Sequence, residues 1–128
     1  MSDLTEFLSA RIAEDEAVAR AATQSAKWWD WPLGIEGKRG GTVRAHEDPY
    51  IAMNLADGDA THIARHDPAR VLAECEAKRQ IVSTMQSAID GGWQSQSREE
   101  IEFVATRVLR ALASIYTDHP DYRLEWLL

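Results

Sequence analysis

The sequence predicts an α+β fold, with three main helices and one short helix packed on a small antiparallel sheet of two or three strands. Three observations support this prediction. Apolar residues recur at helical spacing in three long segments of the chain. Residues 26–55 differ, because aromatic residues, glycines and short alternating runs replace the helical pattern there. The length of 128 residues suits one domain, so we expect residues 1–128 to share a single core.

The first main helix is predicted from Asp3 to Ala22, within an N-terminal segment of residues 1–23. Ser2 or Asp3 can cap its start, and a glutamate three residues after Asp3 is typical of a capping box. One apolar stripe runs along it, formed by Leu4, Phe7, Leu8, Ile12, Val18 and Ala22. The acidic run at residues 14–16 falls mostly on the solvated face. The alternative is that this run is a docking face for a basic partner.

The small sheet is predicted within residues 26–55. Thr42–His46 and Tyr50–Leu55 have the composition of short strands, and the second alternates apolar with other side chains. We expect loops at Leu33–Gly41 and Glu47–Pro49, where glycine and proline interrupt the pattern.

Tryptophans cluster at the start of this region, in the stretch WWDW at residues 28–31. If this stretch is a strand, Trp28 and Trp29 point to opposite faces, so one packs on the helices and the other, with Trp31, faces solvent. Large amphipathic rings can form a binding platform, and Trp28, Trp31 and Trp126 are the candidate binding residues. The alternative, which we favour, is that the tryptophans close the core of a small domain.

The helical part, residues 58–116, is predicted to begin with a short helix that Asp59 or Gly58 caps and that ends at His66. Asp67-Pro68 follows the short helix. This pair ends the short helix and begins a new one, because aspartate caps helices and proline suits the first helical position. The second main helix is therefore predicted over Pro68–Ile89. Its apolar stripe consists of Val71, Leu72, Cys75, Val82, Met85 and Ile89.

A capping box of Ser97 and Glu100 predicts the start of the third main helix, which ends near Tyr116. Its apolar stripe consists of Ile101, Val104, Ala105, Val108, Leu112 and Ile115. The pair His119-Pro120 prevents continuation of the helix. The tail, residues 117–128, is too apolar to remain in solvent, so we expect it to dock on the domain or on a partner.

His62 and His66 stand four residues apart, so on a continuous helix their rings lie on one face and can share a transition metal such as zinc. Candidates for a third ligand are Asp59, Asp67, Cys75 and His119. The pair does not form the HExxH motif of metalloproteases, because Ile63 follows His62. The alternative is structural: the helix dipole stabilises His66 at the helix C-terminus, while His62 packs or faces water.

The composition limits the classes of function. Lys and Arg number 14 against 21 Asp and Glu, a formal net charge of −7, so we do not expect binding to nucleic-acid phosphates. The N-terminus lacks the pattern of a signal peptide, and no apolar run is long enough to cross a membrane, so we expect a cytoplasmic protein. Cys75 is the only cysteine and falls on an apolar stripe, which predicts a buried, inert thiol.

Three segments of the chain resemble one known family: FLSARIAEDEAVARAAT (Phe7–Thr23), HIARHDPARVLAECEAKRQIV (His62–Val82) and YTDHPDYRLEW (Tyr116–Trp126). In this order they resemble a family of short, uncharacterised proteins of actinobacteria, their phages and prophages, classed as a domain of unknown function. Such proteins carry a variable tryptophan-containing segment between the first two pieces, as this chain does. The resemblance implies an intracellular accessory protein that a phage or prophage can encode. No activity, cofactor or catalytic residue can be carried over to this chain from the resemblance.

Two hypotheses about function follow. The first is a non-enzymatic accessory protein that acts by protein–protein interaction, with a protein partner or as a homo-oligomer, and without a cofactor. The second is a small metal-binding module or metal-dependent enzyme that uses His62 and His66. We favour the first, because an acidic, helix-rich chain without a catalytic motif requires no chemistry to explain it.

Overall fold

The computed structural model describes residues 2–22, 27–31, 41–45, 51–94 and 97–128, with the side chain of each of these except Trp31. Within these ranges the elements are α1 (Asp3–Ala21), β1 (Trp28–Trp31), β2 (Gly41–Ala45), β3 (Ala52–Leu55), α2 (Asp57–Arg65), α3 (Pro68–Ser87) and α4 (Arg98–Ala113). Two short 3-10 turns, Ser114–Tyr116 and Leu124–Trp126, follow α4. The strands form one antiparallel sheet in the order β1-β2-β3, so the predicted α+β fold is confirmed.

Two predicted strands, Thr42–His46 and Tyr50–Leu55, correspond to β2 and β3, while His46 and Tyr50 lie outside the described residues. The predicted loops at Leu33–Gly41 and Glu47–Pro49 also lie outside them, except that Gly41 begins β2.

The chain divides into two compact units. The first, the helical unit, is formed by residues 1–14 and 75–128, and the second, the sheet unit, by residues 15–74. The helical unit contains the start of α1, most of α3, α4 and the tail. The sheet unit contains β1, β2, β3 and α2.

In the sheet unit, α2 packs against the three strands. Val43 on the central strand β2 is fully buried, and it forms the core of this unit with Ala60 and Ala64 of α2. The apolar side chains packed around that core are Trp28, Ile51, Ala52, Leu55 and Ile63. Gly41 allows the chain to pass close to β3, because a Cβ atom there would lie 3.0 Å from the carbonyl oxygen of Leu55.

In the helical unit, the buried apolar residues come from α1, α3, α4 and the tail: Leu4, Phe7, Leu8, Ile12, Cys75, Val82, Ala88, Ile101, Ala105, Leu109, Ala113 and Trp126. Cys75 is buried, as its place on the apolar stripe predicts. Helix α3 is followed directly by a π-helical turn, Ala88–Gly92, in which Gly91 has a φ of 96°, in the left-handed region that glycine adopts readily.

The helix starts agree with the sequence at three places, in α1, α3 and α4, and differ at one. Asp67 caps α3, since its Oδ1 accepts from the backbone N–H of Arg70 at 2.8 Å. Ser2 and Ser97 cap α1 and α4, since the Oγ of each accepts from the backbone N–H three residues later at 3.3 Å. The prediction that Asp59 or Gly58 caps the short helix is wrong. Helix α2 begins earlier, at Asp57, after Ala56, which has no side chain to cap it.

Two predicted apolar stripes also require correction. On α1, Val18 is 74% exposed, and the neighbouring Ala19 is buried in its place. On the third main helix as predicted, Val104 and Ile115 face solvent, and Leu109 and Ala113 are buried instead. Over the described part of the chain, no helix combines the length and apolar character that crossing a membrane requires.

Candidate functional site

Helix α4 carries apolar side chains on two faces. The buried face consists of Ile101, Ala105, Leu109 and Ala113, which belong to the core of the helical unit. A second apolar row, which we call the outer seam, consists of Val104, Val108 and Ala111 of α4 and of Ile115 in the 3-10 turn that follows α4. These residues are spaced four, three and four apart, the alternation by which helices pair along an apolar stripe.

The outer seam is open to solvent. Val104 is 52% exposed and Ile115 is 59% exposed, while Ala111 is also exposed and Val108 is half-buried. Fully burying a valine or isoleucine side chain contributes about 1.5–3 kcal/mol relative to leaving it in water. The seam therefore offers apolar area that contributes little to the fold and is available to a second protein surface.

A second exposed apolar feature lies elsewhere on α4. Phe103 is exposed, and the guanidinium of Arg107 lies over its ring, 5.7 Å from the ring centre. Beside it is a groove of about 420 Å³, which also contains the C-terminal Leu128. The side chains that line this groove are otherwise charged or polar: Glu99, Glu102, Thr106, Arg107 and Arg110. The groove is thus less apolar in composition than the outer seam.

The tail packs on α1 within the helical unit. Trp126 is 6% exposed, and its ring lies 5.0 Å from that of Phe7 and 5.7 Å from that of Tyr122, centre to centre. Arg123 Nη1 donates to Asp3 Oδ2 at 2.7 Å. Of the candidate binding residues, Trp126 therefore lies in an aromatic cluster of the core, and little of its ring is open to a partner.

Arg11 carries a buried charge and is not among the functional residues that the sequence predicts. Its Nη1 lies 2.7 Å from Nδ1 and 2.6 Å from Nε2 of His119, and its Nη2 donates to Glu14 Oε1 at 2.8 Å. The backbone N–H of Asp121 also donates to His119 Nδ1, at 3.1 Å, so this nitrogen acts as an acceptor. The sequence does contain an indication that Arg11 is buried. Arg11 lies four residues after Phe7 and one before Ile12, beside the apolar stripe of α1.

His119 also lies in a turn at the position where His119-Pro120 is predicted to prevent continuation of the helix. Its backbone N–H donates to the carbonyl of Tyr116 at 3.0 Å, and its own carbonyl accepts from the N–H of Tyr122 at 2.9 Å. The ring of His119 therefore contacts Arg11, and its backbone forms the turn.

The tryptophans of β1 alternate as expected for a strand. Trp28 packs on the core of the sheet unit, whereas Trp29 is exposed. The backbone of Trp31 pairs with Thr42, and its side chain is outside the described part of the structure. The N–H of Trp28 donates to Asp67 Oδ2 at 3.1 Å, so the same residue joins the strand to the start of α3.

His62 and His66 are both exposed at the end of α2, with ring centres 4.4 Å apart. His66 Nδ1 donates to the carbonyl of His62 at 2.8 Å, which leaves its Nε2 as the acceptor nitrogen. Metal-binding histidines commonly hold their second nitrogen in this way. Among the residues that the structure describes, no group of three His, Cys, Asp or Glu side chains is arranged around a metal position.

The structure brings two of the candidate residues to one cavity. Trp28 and His66 line a mostly apolar pocket of about 240 Å³ in the sheet unit. The remaining lining residues are Asp15, Val18, Ala19, Ala22, Pro68 and Val71. Trp126 belongs to the helical unit and is not part of this pocket.

Comparison with known proteins identifies a family but no activity. No curated protein matches the chain, and no solved structure matches it. The model of one protein family, described as a family of unknown function, DUF6221, matches residues 1–128. Because the match extends over residues 1–128, the chain belongs to the DUF6221 family.

Proposed function

We propose that this protein is a small accessory protein that acts by binding another protein through the outer seam of α4. The observation that carries the proposal is that α4 has one apolar face in the core and a second one in solvent. A helix that serves only its own fold needs one apolar face, with polar residues opposite. An exposed apolar row whose residues are spaced alternately four and three apart is typical of helices that bind a partner helix or groove.

The charge of the chain supports a protein partner over nucleic acid. The formal net charge is −7, and binding to a phosphate backbone requires a concentrated basic surface. The proposal includes a cytoplasmic setting and an origin in an actinobacterium, its phage or its prophage, which the resemblance of the three segments implies.

The proposal is tested by comparing what the protein captures when the seam is intact and when it is charged. Val104→Lys places an ammonium group in the seam, four residues after Glu100. Ile81→Lys is the control, because Ile81 is an exposed β-branched residue on a different helix, α3. Isotope-labelled bait distinguishes captured host proteins from exchanged copies of the chain itself.

We expect a defined protein to be retained by the wild-type chain and by Ile81→Lys, and to be lost with Val104→Lys. The same captured proteins in equal amounts on all three baits would contradict a role for the seam. An identified partner is then tested as a purified protein by calorimetry with the same variants.

We propose as a second candidate that His62 and His66 bind a transition metal such as zinc, as a metal module or a small metal-dependent enzyme. The observation that favours it is the bond from His66 Nδ1 to the carbonyl of His62, which orients Nε2 for a ligand. Elemental mass spectrometry of untagged protein, dialysed without chelator, tests it. One equivalent of metal that is lost in both His62→Ala and His66→Ala is expected, and metal-free wild-type protein that binds no added zinc would exclude it.

A further inference from the structure

We infer that the pocket of the sheet unit, which Trp28 and His66 line, binds a small organic amine with an aromatic body. The pocket has a volume of about 240 Å³, and all its lining residues belong to residues 15–74. It is therefore a different surface from the outer seam of the helical unit, and the inference does not depend on what the seam binds.

One buried carboxylate holds two walls of the pocket. Asp67 Oδ2 accepts from the N–H of Trp28 at 3.1 Å, and its Oδ1 accepts from the N–H of Arg70 at 2.8 Å. The second bond caps the first turn of α3, which contributes Pro68 and Val71 to the lining. Because these walls are fixed by the fold, little conformational freedom is lost when a ligand binds.

Most of the lining is apolar. Beside the indole of Trp28, the apolar lining residues are Val18, Ala19, Ala22, Pro68 and Val71. An apolar protein cavity of about 150 Å³ binds benzene. A volume of about 240 Å³ therefore accommodates such a ring together with a short chain. Aromatic rings pack favourably on one another, so the indole also favours an aromatic body in the ligand.

The two ionisable side chains of the lining select the polar end of the ligand. Asp15 contributes a carboxylate, whose oxygens can each accept more than one hydrogen bond. His66 Nδ1 donates to the carbonyl of His62 at 2.8 Å, which leaves Nε2 as an acceptor in the neutral ring. An ammonium group complements both, because it is a cation with three N–H donors. A carboxylic acid would be repelled by Asp15.

Titration of the full chain with phenethylamine, followed by NMR spectroscopy, tests the inference. We expect saturable shifts of the methyl signals of Val18 and Val71 and of the indole N–H of Trp28. The indole N–H of Trp126, in the helical unit, is expected to stay unchanged. A chelator is present throughout, so that a metal ion on His66 does not contribute.

Two related probes test whether the charge is recognised. Phenethyl alcohol has nearly the same shape as phenethylamine but is neutral, and phenylacetate is an anion. We expect the amine to bind at least about tenfold more tightly than the alcohol, since hydrogen bonds between charged groups contribute more than neutral ones. Phenylacetate is expected to bind more weakly than the alcohol.

Three variants test where the amine binds. We expect Asp15→Asn to weaken phenethylamine by about tenfold or more and phenethyl alcohol by much less, because only the amine loses an ion pair. Glu16→Gln is the matched control: it removes the same charge from the next residue of α1, which is not among those that line the pocket. Ala22→Leu fills part of the cavity and is expected to abolish binding of both molecules. Circular dichroism shows that each variant is folded.

Three results would overturn the inference. Absence of saturable shifts with phenethylamine shows that the pocket takes no such amine. Equal affinities for the amine and the alcohol show that the charge is not recognised. Equal losses in Asp15→Asn and Glu16→Gln, or binding that persists in Ala22→Leu, show that the amine binds elsewhere on the acidic surface.

Discussion

The backbone N–H of Trp28 donates to Oδ2 of Asp67, 3.1 Å away and 39 residues further along the chain. Oδ1 of the same carboxylate accepts from the N–H of Arg70 at 2.8 Å, which makes Asp67 the N-cap of α3. Asp67 is 2% exposed, so both bonds are shielded from water. One buried carboxylate thus holds the first strand of the sheet and the first turn of α3 within the sheet unit.

Replacing Asp67 tests how much these two bonds stabilise the protein. Asp67→Ala removes both the cap of α3 and the bond that the N–H of Trp28 donates, so we expect the free energy of unfolding to fall by about 2–4 kcal/mol. Asp67→Asn is the matched control, because asparagine caps helices nearly as well but offers one carbonyl oxygen. In urea denaturation, we expect the free energy of unfolding of Asp67→Asn to lie between those of the wild type and of Asp67→Ala. If Asp67→Ala were as stable as the wild type, the carboxylate would contribute nothing to stability.

The contact between Arg11 and His119 joins two positions that are 108 residues apart. A double-mutant cycle with Arg11→Met and His119→Phe measures their coupling, with each change retaining much of the side-chain volume. Since contacting residues typically couple by about 0.5–3 kcal/mol, we expect a favourable coupling near 1 kcal/mol in the free energy of unfolding. Additive effects of the two substitutions would argue against a direct interaction.

Trp126 and Leu128 stand two residues apart in the tail but differ in burial, at 6% and 71% exposed. We expect Trp126→Ala to cost about 3–5 kcal/mol of unfolding free energy, because it removes a large ring from the aromatic cluster. Leu128→Ala should change stability by less than about 0.5 kcal/mol. Thermal and urea unfolding measure the stability of the two variants. Equally small losses of stability in Trp126→Ala and Leu128→Ala would contradict a docked tail.

Val104 and Ala105 are adjacent on α4, yet one is 52% exposed and the other 2% exposed. We expect Ala105→Lys to destabilise the monomer by at least about 2 kcal/mol, because it forces a long charged side chain into the core. Val104→Lys should stay within about 0.5 kcal/mol of wild type. The comparison is made on the purified protein at low concentration, and the opposite order of stabilities would reverse the assignment of the two faces.

Several features of the candidate site could be predicted from sequence because they depend on near neighbours. The cap at Ser97 requires a bond to Glu100 three residues away, and the break at Asp67-Pro68 requires the geometry of two adjacent residues. The spacing of His62 and His66 likewise places their rings together on α2. Their binding of a metal remains a prediction.

The orientation of α4 could not be predicted in the same way. Val104 and Ile115 are as apolar as Ile101 and Leu109, so hydrophobic periodicity alone does not separate the face in the core from the face in solvent. Ala105 and Ala113 are small and give a weak hydrophobic signal, yet both are almost fully buried. Which face of α4 is covered depends on the elements that pack against it within the helical unit, and hydrophobic periodicity does not identify them.

The sequence by itself determined the α+β class, the order of helices and strands, and most of their ends, because these follow from local periodicity, capping and the backbone limits of proline and glycine. Only the tertiary structure decided that Asp67 bonds to Trp28, that Arg11 meets His119, and that α4 leaves its outer seam in solvent. Those relationships join residues far apart in the chain or choose between equally apolar faces. Their free energy depends on which surfaces meet, and a linear pattern does not contain that information.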